Sequence, residues 1–304
     1  MRARRAGFTL IELAVVLAML GVIGGATGML LLRQQRFYRG AGELLYAREG
    51  VRDAIDVLAT DIRGLAVADT ARLLADSAME MFTSIGASVL CQLTSVTEAG
   101  LAPAARTGNS LASFTTQPDT GDLALFYVAA NTDTISWERH RIASYGARSL
   151  ATSCPLTSGF TRPADLAAGL EGYGLTLETP LSANVRAGAP VRFIRRGRYS
   201  LYRAADGEWY LGYRRCNALG ASACGAIQPL SGPYRSYSRD RNATGLLFEY
   251  FDEHGTALAP SSSPLDLARV DLTVRAESRQ HLMIEGRGST PGDSAKASIA
   301  IRNR

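Results

Sequence analysis

The sequence predicts an α+β fold: one long N-terminal helix, its first half apolar enough to cross a membrane, packed on an antiparallel β-sheet. Three observations lead there. An apolar run extends from Phe8 to Leu32 with a single charge, Glu12, near its start. Beyond it, Val51, Ile55, Leu58, Ile62 and Leu65 recur four and three residues apart, the seam of an amphipathic helix. Further on, short segments alternate between apolar and polar residues, as where Val270, Leu272 and Val274 are set among Asp271, Thr273 and Arg275.

The first element is the apolar run. It exceeds the roughly 18 residues that span a bilayer. It is too long for the h-region of a secretory signal peptide, which runs about 7–15 residues and does not normally carry a carboxylate, and Ala26-Thr27-Gly28 is a poor cleavage site. Arg2, Arg4 and Arg5 precede the run and keep that end cytoplasmic, so the remainder is exported. A lone carboxylate inside such a segment costs roughly 2.5–3.5 kcal/mol on insertion scales, which marks Glu12 as functional.

The helix is expected to continue past Leu32, because no proline occurs before Pro103. Gly40, Gly42 and Gly50 lower its propensity and permit a bend. From Phe8 to Leu65 it would reach about 85 Å at 1.5 Å per residue. Residues 70–88 read as a second helix with Leu73, Leu74, Met79, Met81 and Phe82 partly buried, and residues 97–121 as a long loop. A strand follows at 122–129. Segments 198–204 and 208–214 flank Ala205-Asp206-Gly207, a hairpin signal because Asp and Gly tolerate positive φ. Leu246–Phe251 leads through Asp252-Glu253-His254-Gly255 into a second hairpin at Thr256–Leu258, and Ser298–Arg302 is a last edge strand. The resulting division is a leader at 1–7, a membrane and core helix at 8–32, its amphipathic continuation at 33–69, and an exported globular domain at 70–304.

The formal net charge is +5, but without Arg2, Arg4 and Arg5 the balance is 30 basic against 28 acidic residues, about +2. Basicity is therefore partly a topology signal. Cys91, Cys154, Cys216 and Cys224 all lie in the exported part, where an even count favours disulfides. Four cysteines allow three pairings; closeness in a Gly- and Ala-rich loop pairs Cys216 with Cys224 and leaves Cys91 with Cys154. Without a CxxC pair or a neighbouring histidine, zinc is not expected, and no cofactor is.

No GxSxG, HExxH, Walker A or dinucleotide fingerprint occurs, so an enzyme is not expected. His140 reads as part of an exposed strand and His254 as part of a turn; His281 completes the set of three. Arg192, Arg195, Arg196 and Arg198 cluster near Phe193 and Tyr199, and Arg195, Arg196 and Arg198 are the candidate contacts for single-stranded DNA, provided that their side chains converge on one face.

The order Gly7-Phe8-Thr9-Leu10-Ile11-Glu12 after a basic leader resembles the class III signal of type IV prepilins and the related pseudopilins. The resemblance implies that a prepilin peptidase cuts between Gly7 and Phe8 and methylates the new amine of Phe8. It implies that Glu12 then pairs with the Phe8 amine of a neighbouring subunit. The implied partners are other pilin or pseudopilin subunits, the peptidase, an inner-membrane assembly platform and, before assembly, membrane lipid. Leu246–Asp252 with Ala268–Arg275, and the ending Ile301–Arg304, resemble the C-terminal region of large minor pilins of the PilW type. That makes a minor type IV pilin the leading expectation, acting in pilus assembly or at the filament tip. A J-class pseudopilin of a type II secretion system is the alternative, and a DNA-binding or adhesive tip subunit a third.

Overall fold

A computed structural model describes residues 9–65, 73–103, 110–131, 134–216, 224–260, 262–277, 282–284, 287–289 and 292–301. Helix α1 runs unbroken through Leu10–Arg63, 54 residues, or about 80 Å. Thr9 caps its N-terminus and Gly64 follows its last turn. The helix has two halves of different character. From Leu10 to Arg39 nearly every residue is exposed, Leu10 at 85% and Val22 at 74%. From Gly40 onward one face is buried, through Ala47, Gly50, Val51, Ala54, Leu58 and Ile62. The amphipathic stripe thus begins where the apolar run has ended.

That stripe packs on strands β10 (Gln228–Tyr234), β12 (Arg269–Glu277) and β15 (Gly292–Ala300). Leu58, Ile62, Val270, Leu272 and Phe248 belong to one core beneath it. Burial of side chains of this size stabilises by about 1.5–3 kcal/mol each, which is what holds the helix to the sheet. The sheet order continues outward from β12 on one side to β11 (Leu246–Phe251), and through β10 to β9 (Trp209–Arg215) and β8 (Pro190–Arg203). The β8–β9 turn has Gly207 at φ 88°, the positive value that the Asp-Gly signal anticipated.

Two long strands, β2 (Ala78–Ser95) and β8, pair antiparallel from Ala78↔Ser200 to Val89↔Pro190 and leave the helix-bearing sheet together. At their far ends they enter a closed ring. β2 pairs with β3 (Glu98–Leu101), β3 with β7 (Glu171–Leu177), β7 with β6 (Thr134–Ser149), β6 with β5 (Leu123–Asn131), and β5 with β8. This six-stranded barrel has its own core, including Leu90, Leu101, Phe126, Leu175, Val191 and Phe193. Short helix α2 (Leu150–Ser153) sits directly on the barrel wall, where a Cβ on Gly100 or Gly172 would strike Ser153. The remaining elements are β1 (Leu73–Leu74), β4 (Ser113–Phe114), α3 (Pro163–Ala167) and the separate hairpin β13 (Leu282–Ile284) and β14 (Arg287–Ser289).

The architecture is the expected α+β arrangement, with three local departures. Residues 78–88 form strand β2 rather than helix. The helix-forming Ala, Met and Glu at 78–81 are overridden by an eleven-position ladder to β8, and Thr83, Ile85 and Val89 suit a strand. The expected loop 97–121 contains β3 and β4. The last strand spans Gly292–Ala300 and so begins earlier than the expected Ser298–Arg302, of which Arg302 lies outside the described residues.

Candidate functional site

The N-terminal turn of α1 is built by Thr9 and Glu12. The backbone N–H and the hydroxyl of Thr9 both donate to Glu12 Oε2, at 2.9 and 3.0 Å, while Glu12 N–H donates to Thr9 Oγ1 at 3.3 Å. This is a reciprocal capping box, and it satisfies two of the donors that a helix start otherwise leaves open. The carboxylate also meets the positive end of the helix dipole. Glu12 is thus held by its own chain through one oxygen. The Thr-x-x-Glu spacing is visible in the sequence, but reasoning from the charge alone misses Thr9, the residue that positions it. Gly7 and Phe8, the expected cleavage and methylation positions, lie outside the described residues.

The other end of the helix is anchored by polar contacts. Tyr234 donates its hydroxyl to the carbonyl oxygen of Gly50 at 2.6 Å, across a close approach of strand β10. Tyr199 donates to the Asp61 carboxylate. Burial pushes the Asp61 carboxyl above its usual range, opposed by the bond from Tyr199, and burial likewise raises the Tyr199 hydroxyl. Arg48 lies 3.5 Å from Asp293 at the helix edge.

The three arginines expected to contact DNA do not form a surface. Arg196 and Arg198 converge on Glu80, whose side chain is 2% exposed; Arg196 Nε donates to it at 2.6 Å and Arg198 Nη2 at 2.7 Å. Arg195 points to the opposite face and clasps Asp122 through Nε at 3.0 Å and Nη2 at 2.7 Å. Arg215 closes the second group on Asp119 and Asp122. Strand alternation explains the split, since residues 195 and 196 must face opposite ways. These clusters sit where β2 and β8 pass from the sheet into the barrel.

Cys91 is bonded to Cys154, tying β2 to the end of α2, and Cys216 to Cys224, closing the segment between β9 and β10. Glu80 lies close to Cys216 and Cys224. Both sulfurs are consumed by the disulfide and Glu80 already holds two guanidinium groups, so this trio offers no thiolate to a metal. His140 is buried, not exposed: Nδ1 lies 2.8 Å from Thr179 Oγ1, Nε2 3.3 Å from Glu138, and the ring stands edge-on to Phe126 in the barrel. His254 is exposed in the turn at Asp252–Gly255, where Asp252 accepts from the His254 and Thr256 N–H groups. His281 lies outside the described residues.

Residues 2–28 match the model of the prokaryotic N-terminal methylation motif. No curated protein and no solved structure matches the chain. Among the described residues, α1 is the one helix long and apolar enough to cross a membrane, and none of its apolar window is buried. Motif and helix together support an inner-membrane-anchored subunit of the type IV pilin or pseudopilin kind, processed by a prepilin peptidase and assembled with other pilins.

Proposed function

We propose that this chain is a minor type IV pilin of the PilW type, acting in the initiation or at the tip of a pilus. The leader at 1–7 is removed, Phe8 becomes the methylated amino terminus, and the domain after the helix lies in the periplasm before assembly. The observation that carries this reading is the division of α1: an apolar half that lies exposed, headed by Glu12, continues into a half that its own domain covers. An apolar helix in lipid has little hydrophobic reason to associate, so a polar contact directs its packing. Glu12 is that contact. Its Oε2 serves the Thr9 cap, and Oε1 receives the ammonium of a neighbouring Phe8. Pairing relieves two groups that are each unfavourable in lipid. The size of the domain after the helix favours a minor over a major subunit.

Mass spectrometry of filaments sheared from the native host, beside its envelope fraction, tests this. Low-abundance peptides from this chain in the filaments, beginning at methylated Phe8, are expected. Processed protein confined to the envelope while other pilins fill the filaments would replace this reading with a J-class pseudopilin. An unprocessed amino terminus in both fractions would remove the prepilin reading altogether.

A further inference from the structure

Strand β15 ends the helix-bearing sheet with an open edge. Its 9 residues pair with β12 from Arg269↔Ala300 to Glu277↔Gly292 without a register shift. Among the described residues no strand pairs with its other side. At about 3.3 Å per residue that edge is about 30 Å long.

The direction of its backbone groups follows from one bond. Ile301 N–H donates to the Ala268 carbonyl at 3.0 Å. Bonded pairs recur at every second position of an antiparallel ladder, so Ile299, Ala297, Ala295 and Asp293 bond to β12. Ser294, Lys296, Ser298 and Ala300 therefore turn their N–H and C=O groups to the open side. Arg275, opposite Ser294, agrees: its N–H donates to Gly245 and its carbonyl accepts from Arg235, both away from β15. Ser294 N–H finds only the carboxylate of its own neighbour Asp293, at 2.9 Å.

Bulges, prolines and outward lysines normally blunt such an edge. Residues 292–300 contain neither a bulge nor a proline. Lys296 leans over the sheet instead, 3.5 Å from Asp271 on β12 and 3.6 Å from Glu249 on β11. The edge also lies beside α1, where Arg48 meets Asp293. Leu45 and Arg52, three residues before Arg48 and four after it, share that flank of the helix and are exposed. Subunits whose apolar helix halves gather side by side bring their following segments to this flank. Antiparallel pairing of β15 with the β15 of a second copy would turn the two helices head to tail, and one bilayer could not take both apolar halves.

We propose that the β15 edge takes up an extended segment, other than β15, of a neighbouring pilin-type subunit, which adds a strand to the sheet. Main-chain bonds to Lys296, Ser298 and Ala300 hold it, and an acid on its helix-facing side meets Arg52. The proposal rests on assembly with other pilins and applies to a pilus or a pseudopilus alike.

Photocrosslinking in the native host tests it, with benzoylphenylalanine placed in the full chain at Ser294 and, separately, at Ser298. Mass spectrometry of the adducts is expected to show one other subunit carrying a methylated amino terminus, attached at sites about four residues apart, as paired strands require. Lys296→Pro removes an N–H that points away from β12, so it should keep the melting temperature and lose the adduct. Lys296→Ala, which retains that N–H, should keep both. Ala297→Pro breaks the ladder to β12 and should melt earlier, which verifies the assignment of directions. Absence of adducts from a chain that is cleaved after Gly7 and assembled would overturn the proposal alone. So would adducts joining β15 to β15, adducts scattered without the four-residue step, or an undiminished adduct in Lys296→Pro. An unprocessed amino terminus would overturn the assembly reading, and this proposal with it.

Discussion

Tyr199, on the long strand β8, donates its hydroxyl to Asp61 in the last turn of α1, and so joins the helix end to the strand that runs on into the barrel. The bond is made where burial raises the Asp61 carboxyl above its ordinary value of 3.8. A group whose folded-state pKa is raised binds its proton more tightly in the folded chain. Its contribution is therefore most favourable below the unfolded value and is lost as pH rises through the folded one. At neutral pH the buried charge costs stability.

Asp61→Asn should consequently gain on the wild type at neutral pH, because it keeps an acceptor for Tyr199 without the charge. The advantage should shrink as pH falls toward about 4, where the wild-type carboxyl is protonated as well. Asp119 is held low by the Arg215 hydrogen bond and Asp252 by backbone N–H groups, so both titrate in the opposite sense. They do so equally in both chains and cancel in the difference. Urea unfolding of the two proteins across this pH range checks the prediction, and a difference independent of pH would refute it.

Glu80 supplies a sharper test of the strand junction. Its side chain is 2% exposed and it neutralises Arg196, itself 7% exposed, and part of Arg198. Glu80→Ala leaves a buried guanidinium without its counter-charge, which typically costs about 3–5 kcal/mol. Arg198→Ala should cost much less, because a third of that side chain is exposed and Arg196 still holds Glu80. Denaturant unfolding distinguishes the two. Similar small losses in both variants would mean that the junction is wet and the pair weak.

The same junction shows how far the sequence was legible. The helix, its amphipathic stripe and the Asp-Gly hairpin were readable because each depends on neighbours within a few residues. The barrel was not readable, because it depends on pairings such as Ala87↔Arg192 that join distant parts of the chain. For the same reason Arg195, Arg196 and Arg198 looked like a basic patch: Asp122 and Glu80, their partners, lie 73 and 116 or more positions away. His140 was misjudged because its place in the barrel comes from β6 pairing with β5, which no local pattern announces. At the N-terminus the opposite holds. Thr9 and Glu12 are 3 apart, so the cap was there to be read.

The two disulfides should differ in weight. Cys91 and Cys154 are 63 residues apart and Cys216 and Cys224 are 8 apart. Chain-entropy reasoning assigns about 4 kcal/mol to the longer closure and about 2.5 kcal/mol to the shorter. The double variant Cys91→Ser with Cys154→Ser should therefore lose more stability than Cys216→Ser with Cys224→Ser, the more so because Cys91 and Cys154 are fully buried. Thermal melting of the two double variants measures the order. A reversed order would mean that the shorter bridge supports the Glu80 cluster beneath it rather than only closing a loop.

Glu12 has two duties under the proposed function, and two substitutions separate them. Thr9→Ala removes the hydroxyl that caps the helix, at a cost of about 0.5–2 kcal/mol in a first turn, but leaves the carboxylate in place. Glu12→Leu removes both the cap partner and the acceptor for a neighbouring ammonium. Both variants should still be cut after Gly7. Thr9→Ala should enter filaments at a reduced level, since a frayed turn still presents the charge, whereas Glu12→Leu should be absent from them. Immunoblots of sheared filaments and membranes, with the processed and unprocessed forms resolved, read both steps. Equal incorporation of the two variants would reduce Glu12 to a capping residue, and the register of neighbouring helices would have to come from packing along the apolar half of α1.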